Sequence, residues 1–135
     1  AAQWEAFNLN LQEKYARIKA NEVRWQSYQV EDADLVLVAY GSMARVAEGA
    51  MKMAREEGLK VGLIRPISLW PFPEKAFEGL AGKKFLVTEL SAGQMVEDVK
   101  LSVDRKEDVH FFGRLGGVVP SPKDILAEIR KLEVK

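Results

Sequence analysis

Gly41-Ser42, Arg65, Glu89 to Gln94 and Gly113 to Gly117 are the positions where this sequence could do chemistry. Each closes or follows an apolar run, and ligands of parallel α/β sheets collect at the carboxyl ends of strands. Gly41-Ser42 opens a helical pattern, so free amides there could hold an anion. The plainer reading is a strand-to-helix joint capped by the Ser42 hydroxyl. No GxGxxG or GxxxxGK(S/T) spacing accompanies it. Arg65 and Glu89 end neighbouring apolar runs, as an acid–base pair, a structural ion pair or solvated ends. Gly113-Arg114-Leu115-Gly116-Gly117 is a flexible turn that could cradle phosphate or serve backbone geometry alone. His110 is the single histidine and sits inside a strand pattern, filling a core or edge position. One histidine without cysteine cannot build a usual zinc site. No GxSxG elbow supports a serine triad. Glu97-Asp98 lies on the solvated face of a helical pattern. Taken residue by residue, nothing composes a complete active site.

The elements that must position these residues are legible. Trp4, Phe7, Leu11, Tyr15 and Ile18 recur every three or four residues, which predicts an amphipathic helix from Ala1 to about Arg24. At the helical rise it is roughly 35 Å long. Its aromatic stripe either packs on this domain or makes a linker helix for another domain or partner, and the linker reading predicts self-association of the isolated chain. Val23 to Val30 continues the helix or forms a short edge strand. Asp34 to Tyr40, Lys60 to Ile64, Lys84 to Leu90 and Val109 to Phe112 read as strands, the first covered on both faces. Between them lie a helix after Ser42 closed by Gly58, a helix from Pro73 to about Leu80, and a helix from Gln94 to Val103. Arg45, Glu48, Lys52, Arg55 and Glu56 occupy the polar side of the helix after Ser42. A last helix runs from Pro122 to about Leu132 with Ser121 as its cap. The Trp70-Pro71-Phe72 turn folds over a core edge or meets a partner. Strand and helix alternate throughout, which gives a three-layer α/β/α domain.

Composition sets the outer limits. The chain has 135 residues, 47% of them apolar, enough for one domain with an appendage. Twenty basic and 20 acidic residues leave a formal charge of +0, which argues against nucleic acid or a polybasic membrane contact. Cysteine is absent, removing disulfides, thiolate metal sites and cysteine nucleophiles. That suits a reducing cytoplasm. No apolar run approaches the ~18 residues of a membrane span. The chain opens on Ala-Ala-Gln without Met or a signal pattern, so a piece of a larger protein is expected.

Three segments carry a family resemblance: VAYGSMARVAEGAMKMAREEGLKVGLIRPISLWPFPEKAF at Val38–Phe77, TELSAGQMVEDVKLSV at Thr88–Val103 and FFGRLGGVVPSPKDIL at Phe111–Leu126. In order and with short gaps, they resemble the C-terminal domain of the alpha subunit of 2-oxoacid:ferredoxin oxidoreductases. The resemblance covers residues from about Glu22 onward; the helix before it is similar to that subunit's linker. It implies a transketolase C-terminal-like fold, a five-stranded, mostly parallel sheet whose first strand, here Val23–Val30, runs antiparallel. The implied division is a linker helix at 1–22 and the domain at 23–135.

The parent enzymes decarboxylate a 2-oxoacid on thiamine diphosphate, pass electrons through iron–sulfur clusters to ferredoxin, and release an acyl-CoA. Branched-chain 2-oxoacids or 2-oxoglutarate are the implied substrates. Thiamine diphosphate, magnesium, the clusters and CoA belong to the parent complex; this domain is expected to bind none of them. It shows no GDG…N motif and inherits no catalytic residue. The family-like positions are Gly41, Ser42, Arg65, Pro66, Glu89, Gly93, Gln94, Gly113, Arg114, Gly116 and Gly117, expected to form an interface or a substrate or CoA approach. The implied partners are the other domain of the subunit, companion subunits in a homo- or hetero-oligomer, and ferredoxin indirectly. The isolated chain is expected to be inactive. The competing reading is an independent small-molecule or nucleotide-binding α/β module. A compact hydrolase, lacking the elbow, comes third.

Overall fold

The computed structural model describes residues 1–132. Five strands form one sheet in the order β1-β3-β2-β4-β5. They are β1 (Trp25–Tyr28), β2 (Leu35–Val38), β3 (Val61–Pro66), β4 (Lys84–Glu89) and β5 (Val109–Gly113). β2, β3, β4 and β5 run parallel, and β1 pairs antiparallel with β3. The ambiguous Val23–Val30 segment is therefore the first strand. Gly62 lets the chain pass there, because a Cβ would lie 2.7 Å from the Gln29 carbonyl oxygen.

Alternation along β2 divides the core between two faces. Leu35 and Leu37 pack with α2 (Ser42–Glu56) and α4 (Pro122–Lys131). Val36 and Val38 pack with α3 (Met95–Ser102) and the 3₁₀ turn Glu74–Phe77. Buried Ala44, Ala47, Ala50 and Ala54 bring α2 close to the sheet. Gly49 admits Pro122 of α4, whose Cγ would stand 3.1 Å from an added Cβ. Ser121 caps α4 as expected: its hydroxyl accepts from the Asp124 amide and the Asp124 carboxylate accepts from the Ser121 amide.

Several expectations are corrected. Ser42 is not the cap of α2 but its first residue; Gly41 occupies the cap at φ 59°, without a side-chain acceptor. A positive φ turns the chain from strand to helix within one residue, which glycine does without strain. The helix expected from Pro73 to Leu80 shrinks to one 3₁₀ turn, since Glu78 is extended and Gly79 has φ 76°. α1 (Ala2–Asn21) buries no residue, and Trp4 is 71% exposed. Most of its stripe does not pack on this domain: Trp4 and Phe7 meet each other edge to face, with ring centroids 6.2 Å apart, and Tyr15 meets Trp70 of the body at 5.6 Å. The last residues of the 23–135 range, 133–135, lie outside the described residues.

Candidate functional site

The carboxyl ends of the four parallel strands and the loops that follow them collect the family-like positions. Gly41 and Ser42 follow β2, Arg65 and Pro66 end β3, and Glu89 ends β4. Gly93 and Gln94 lie in the loop from β4 to α3. Gly113 ends β5, with Arg114, Gly116 and Gly117 in the exposed turn beyond. His110 lies half-buried within β5, at the sheet edge.

Arg65 and Glu89 do not pair. β2 runs between their strands, a separation of about 10 Å at ordinary strand spacing. Arg65 instead donates from Nη1 to Gln26 Oε1 at 3.4 Å. Glu89 is 1% exposed and turns its carboxylate onto the start of α3. Oε1 accepts from the Met95 amide at 2.8 Å, and Oε2 from the Val96 amide at 3.1 Å. The Gln94 amide reaches both oxygens, at 3.2 and 3.1 Å. α3 has no side-chain cap of its own, because Gln94 holds the cap position. A carboxylate from the neighbouring strand thus satisfies its open amides and complements its positive end. This role escapes a reading of β4 alone. The available signal was a helix start lacking Ser, Thr, Asp or Asn at its cap.

The loop is held from the other side as well. A Cβ on Gly113 would stand 2.3 Å from the Ser91 carbonyl oxygen and 2.5 Å from the Phe111 ring. The Arg114 amide donates to the Glu89 carbonyl at 3.1 Å. Glu89 therefore ties α3 through its side chain and the β5 exit through its backbone. The Arg114 guanidinium lies 5.8 Å from the centroid of the Phe112 ring, a cation–π distance.

Some charges away from this edge find partners within the chain. Arg55, expected on the outer polar face of α2, reaches Asp32 Oδ1 at 2.7 Å and the Val61 and Gln29 carbonyls. That hydrogen bond to Arg55 holds the Asp32 carboxyl below its usual range. The Ser121 amide, then its hydroxyl, does the same for Asp124. On α3, burial followed by the charges of Glu89, Glu74 and Glu97 raises Asp98 above the usual range.

Two cavities lie on the α3 side of the sheet. One of about 180 Å³ is lined by Glu78, Leu80, Lys83, Val103 and Asp108. The other, about 730 Å³, opens between α1 and the body, lined by Ala20, Trp25, Trp70, Phe72 and Asp98. Neither touches Arg65, Glu89 or Arg114. Among the described residues no cluster of three His, Cys, Asp or Glu side chains could hold a metal ion. No helix among them is long and apolar enough to cross a membrane.

Residues 33–125 match the family described as pyruvate:ferredoxin oxidoreductase core domain II. The chain belongs to that family. As a core domain II it is 49% identical over 130 residues to the ketoisovalerate oxidoreductase subunit VorB of Methanothermobacter marburgensis, covering 95% of this chain and 37% of that protein. It is 33% identical over 112 residues to the 2-oxoglutarate synthase subunit KorA of Methanocaldococcus jannaschii, covering 83% of this chain and 30% of that one. The chain thus spans about a third of the length of these relatives. Its fold matches the 2-oxoglutarate:ferredoxin oxidoreductase from Magnetococcus marinus, solved with 2-oxoglutarate, coenzyme A and succinyl-CoA, at a TM-score of 0.82. Identity there is 24%, over 97% of this chain and 23% of that one. A split gene transketolase, an inactive β4 tetramer, matches at 0.61 with 19% identity, over 82% of this chain and 42% of that one. The fold is transketolase C-terminal-like, as the resemblance implied.

Proposed function

We propose that this core domain II is the C-terminal structural and assembly domain of the alpha subunit of a 2-oxoacid:ferredoxin oxidoreductase. The observation that carries the reading is 49% identity to a VorB subunit along 95% of the chain. The parent enzyme oxidatively decarboxylates a 2-oxoacid, forms the thioester bond of an acyl-CoA, releases carbon dioxide and passes an electron pair to ferredoxin. The higher identity to VorB than to KorA favours a branched-chain 2-oxoacid over 2-oxoglutarate.

Thiamine diphosphate with magnesium would supply the decarboxylation chemistry, and iron–sulfur clusters the electron path. This chain has no cysteine with which to ligate a cluster. Its contribution is packing. Residues 1–22 act as the linker helix and 23–135 as the domain, facing the rest of the subunit and its companions in the cytoplasm. The strand-end residues Gly41, Ser42, Arg65, Pro66, Glu89, Gly93, Gln94, Gly113, Arg114, Gly116 and Gly117 form the contact edge or the approach of CoA.

The test is ferredoxin reduction by the longer protein purified with its companion subunits. Reduction that requires both 2-oxoisovalerate and CoA is expected. Failure with every 2-oxoacid tried overturns the reading. Tight binding of a nucleotide by the isolated chain would instead favour the independent binding module.

A further inference from the structure

The ion pairs of this neutral chain are unevenly placed. At the amino edge of the parallel strands, Arg55 pairs with Asp32 and Arg130 with Glu57. At the carboxyl edge Arg45, in the first turn of α2, and Arg65 and Arg114 have no carboxylate within salt-bridge distance among the described residues. All three lie on the α2/α4 side. Arg65 is two residues past Leu63, which packs in that half of the core, and Arg114 sits over Phe112, which packs against it. The strands carrying Arg65 and Arg114 are three positions apart in the sheet, about 14 Å. Beside Arg114 the turn exposes Leu115 by 65%, Val118 by 51% and Val119 by 55%. Apolar residues this open beside unpaired guanidinium groups have the make-up of an uncovered interface.

We infer that this edge docks a polypeptide surface of the longer protein or its companions, one that sets carboxylates against Arg45, Arg65 and Arg114 around an apolar centre seated on Leu115, Val118 and Val119. This rests on the assembly role proposed above and adds the chemistry of the partner. Carboxylates on a protein fit better than the phosphates of a small molecule. The charges are spread along the edge, neither cavity reaches them, and small ligands bind in concave sites. Arginine is the residue suited to carboxylates at such contacts, through its planar fork of donors.

Hydrogen exchange in the intact protein tests this. Within this chain the amides of residues 115–119 have no hydrogen-bond acceptor among the described residues, so uncovered they exchange rapidly. Under the inference they are protected in the longer protein with its companions. The double variant Arg65→Glu/Arg114→Glu then speeds their exchange by at least about tenfold. Lys106→Glu, at the opposite end of β5, leaves it unchanged. Rapid exchange in the unmodified complex overturns the inference, as does protection that survives the double variant. Protection that appears only when CoA is added also overturns it and assigns the edge to phosphates. The same preparation is assayed for 2-oxoacid-dependent ferredoxin reduction, so failure of the enzyme reading is scored separately.

Discussion

Replacing Glu89 by alanine should cost about 3 kcal/mol of folding free energy. The side chain is 1% exposed and accepts from the amides of Gln94, Met95 and Val96. Gln94 is exposed, so water can replace the carboxylate at its amide. Met95 and Val96 are buried, and each of their amides left without an acceptor costs about 1–3 kcal/mol. The summed loss is partly offset because the variant no longer keeps a carboxylate out of water. The remainder exceeds the ~1 kcal/mol of an ordinary exposed cap. It is a large share of the roughly 5–15 kcal/mol that holds a domain folded. In urea, with a slope of about 1.5–2 kcal/mol per molar, the midpoint should fall by about 1.5–2 M at unchanged slope. Glu89→Gln, which keeps one acceptor oxygen, should lose roughly half as much. Amide exchange at Met95 and Val96 should quicken in both variants. A midpoint for Glu89→Ala within about 0.5 kcal/mol of the parent chain, or unaltered exchange at those amides, would show that the carboxylate does not hold the start of α3.

Three further outcomes are expected. Gly113→Ala forces a Cβ to within 2.3 Å of the Ser91 carbonyl oxygen; it should cost about 1–3 kcal/mol, and an unchanged melting temperature would refute the close approach. Deleting residues 2–21 removes a helix with no buried residue. It should shift the unfolding free energy by less than about 0.5 kcal/mol and abolish the concentration-dependent sedimentation expected of the intact chain; a deletion variant that no longer unfolds cooperatively would place α1 in the core. Burial and nearby acids raise the folded pKa of Asp98 above its unfolded value of about 3.9, so the ionised group opposes folding at neutral pH. Asp98→Asn should therefore give a small gain at pH 7 that fades as the pH falls toward about 3, read from denaturant midpoints at both pH values. Equal gains at both would rule out titration as the cause.

Local signals carried much of the architecture. The run Leu35-Val36-Leu37-Val38 suits a strand covered on both faces, and it is wholly buried. The alanines of α2, the left-handed Gly58 after it and the Ser121 box on α4 depend on spacing within a few residues, which chain order preserves. Pro73 misled because its fixed φ suits a helix start, while Gly79 and extended Glu78 prevent the helix from growing. Ser42 misled because a hydroxyl at a strand exit resembles a cap, yet Gly41 makes the turn.

Residue order along the chain was therefore enough for the alternation of strands and helices, the faces of α2 and α4, and the gathering of candidate residues at one edge. All of these follow from periodicity and from the rule that parallel strands end on the same side. Which strands are neighbours was not contained in any local pattern. The order β1-β3-β2-β4-β5 inserts β2 between Arg65 and Glu89 and leaves each to find its own partner. Glu89 then caps a helix it does not belong to, Arg55 leaves the solvated face for Asp32, and the aromatic stripe of α1 stays open. Each of these outcomes depends on contacts between segments far apart in the chain, where geometry rather than spacing chooses the partner.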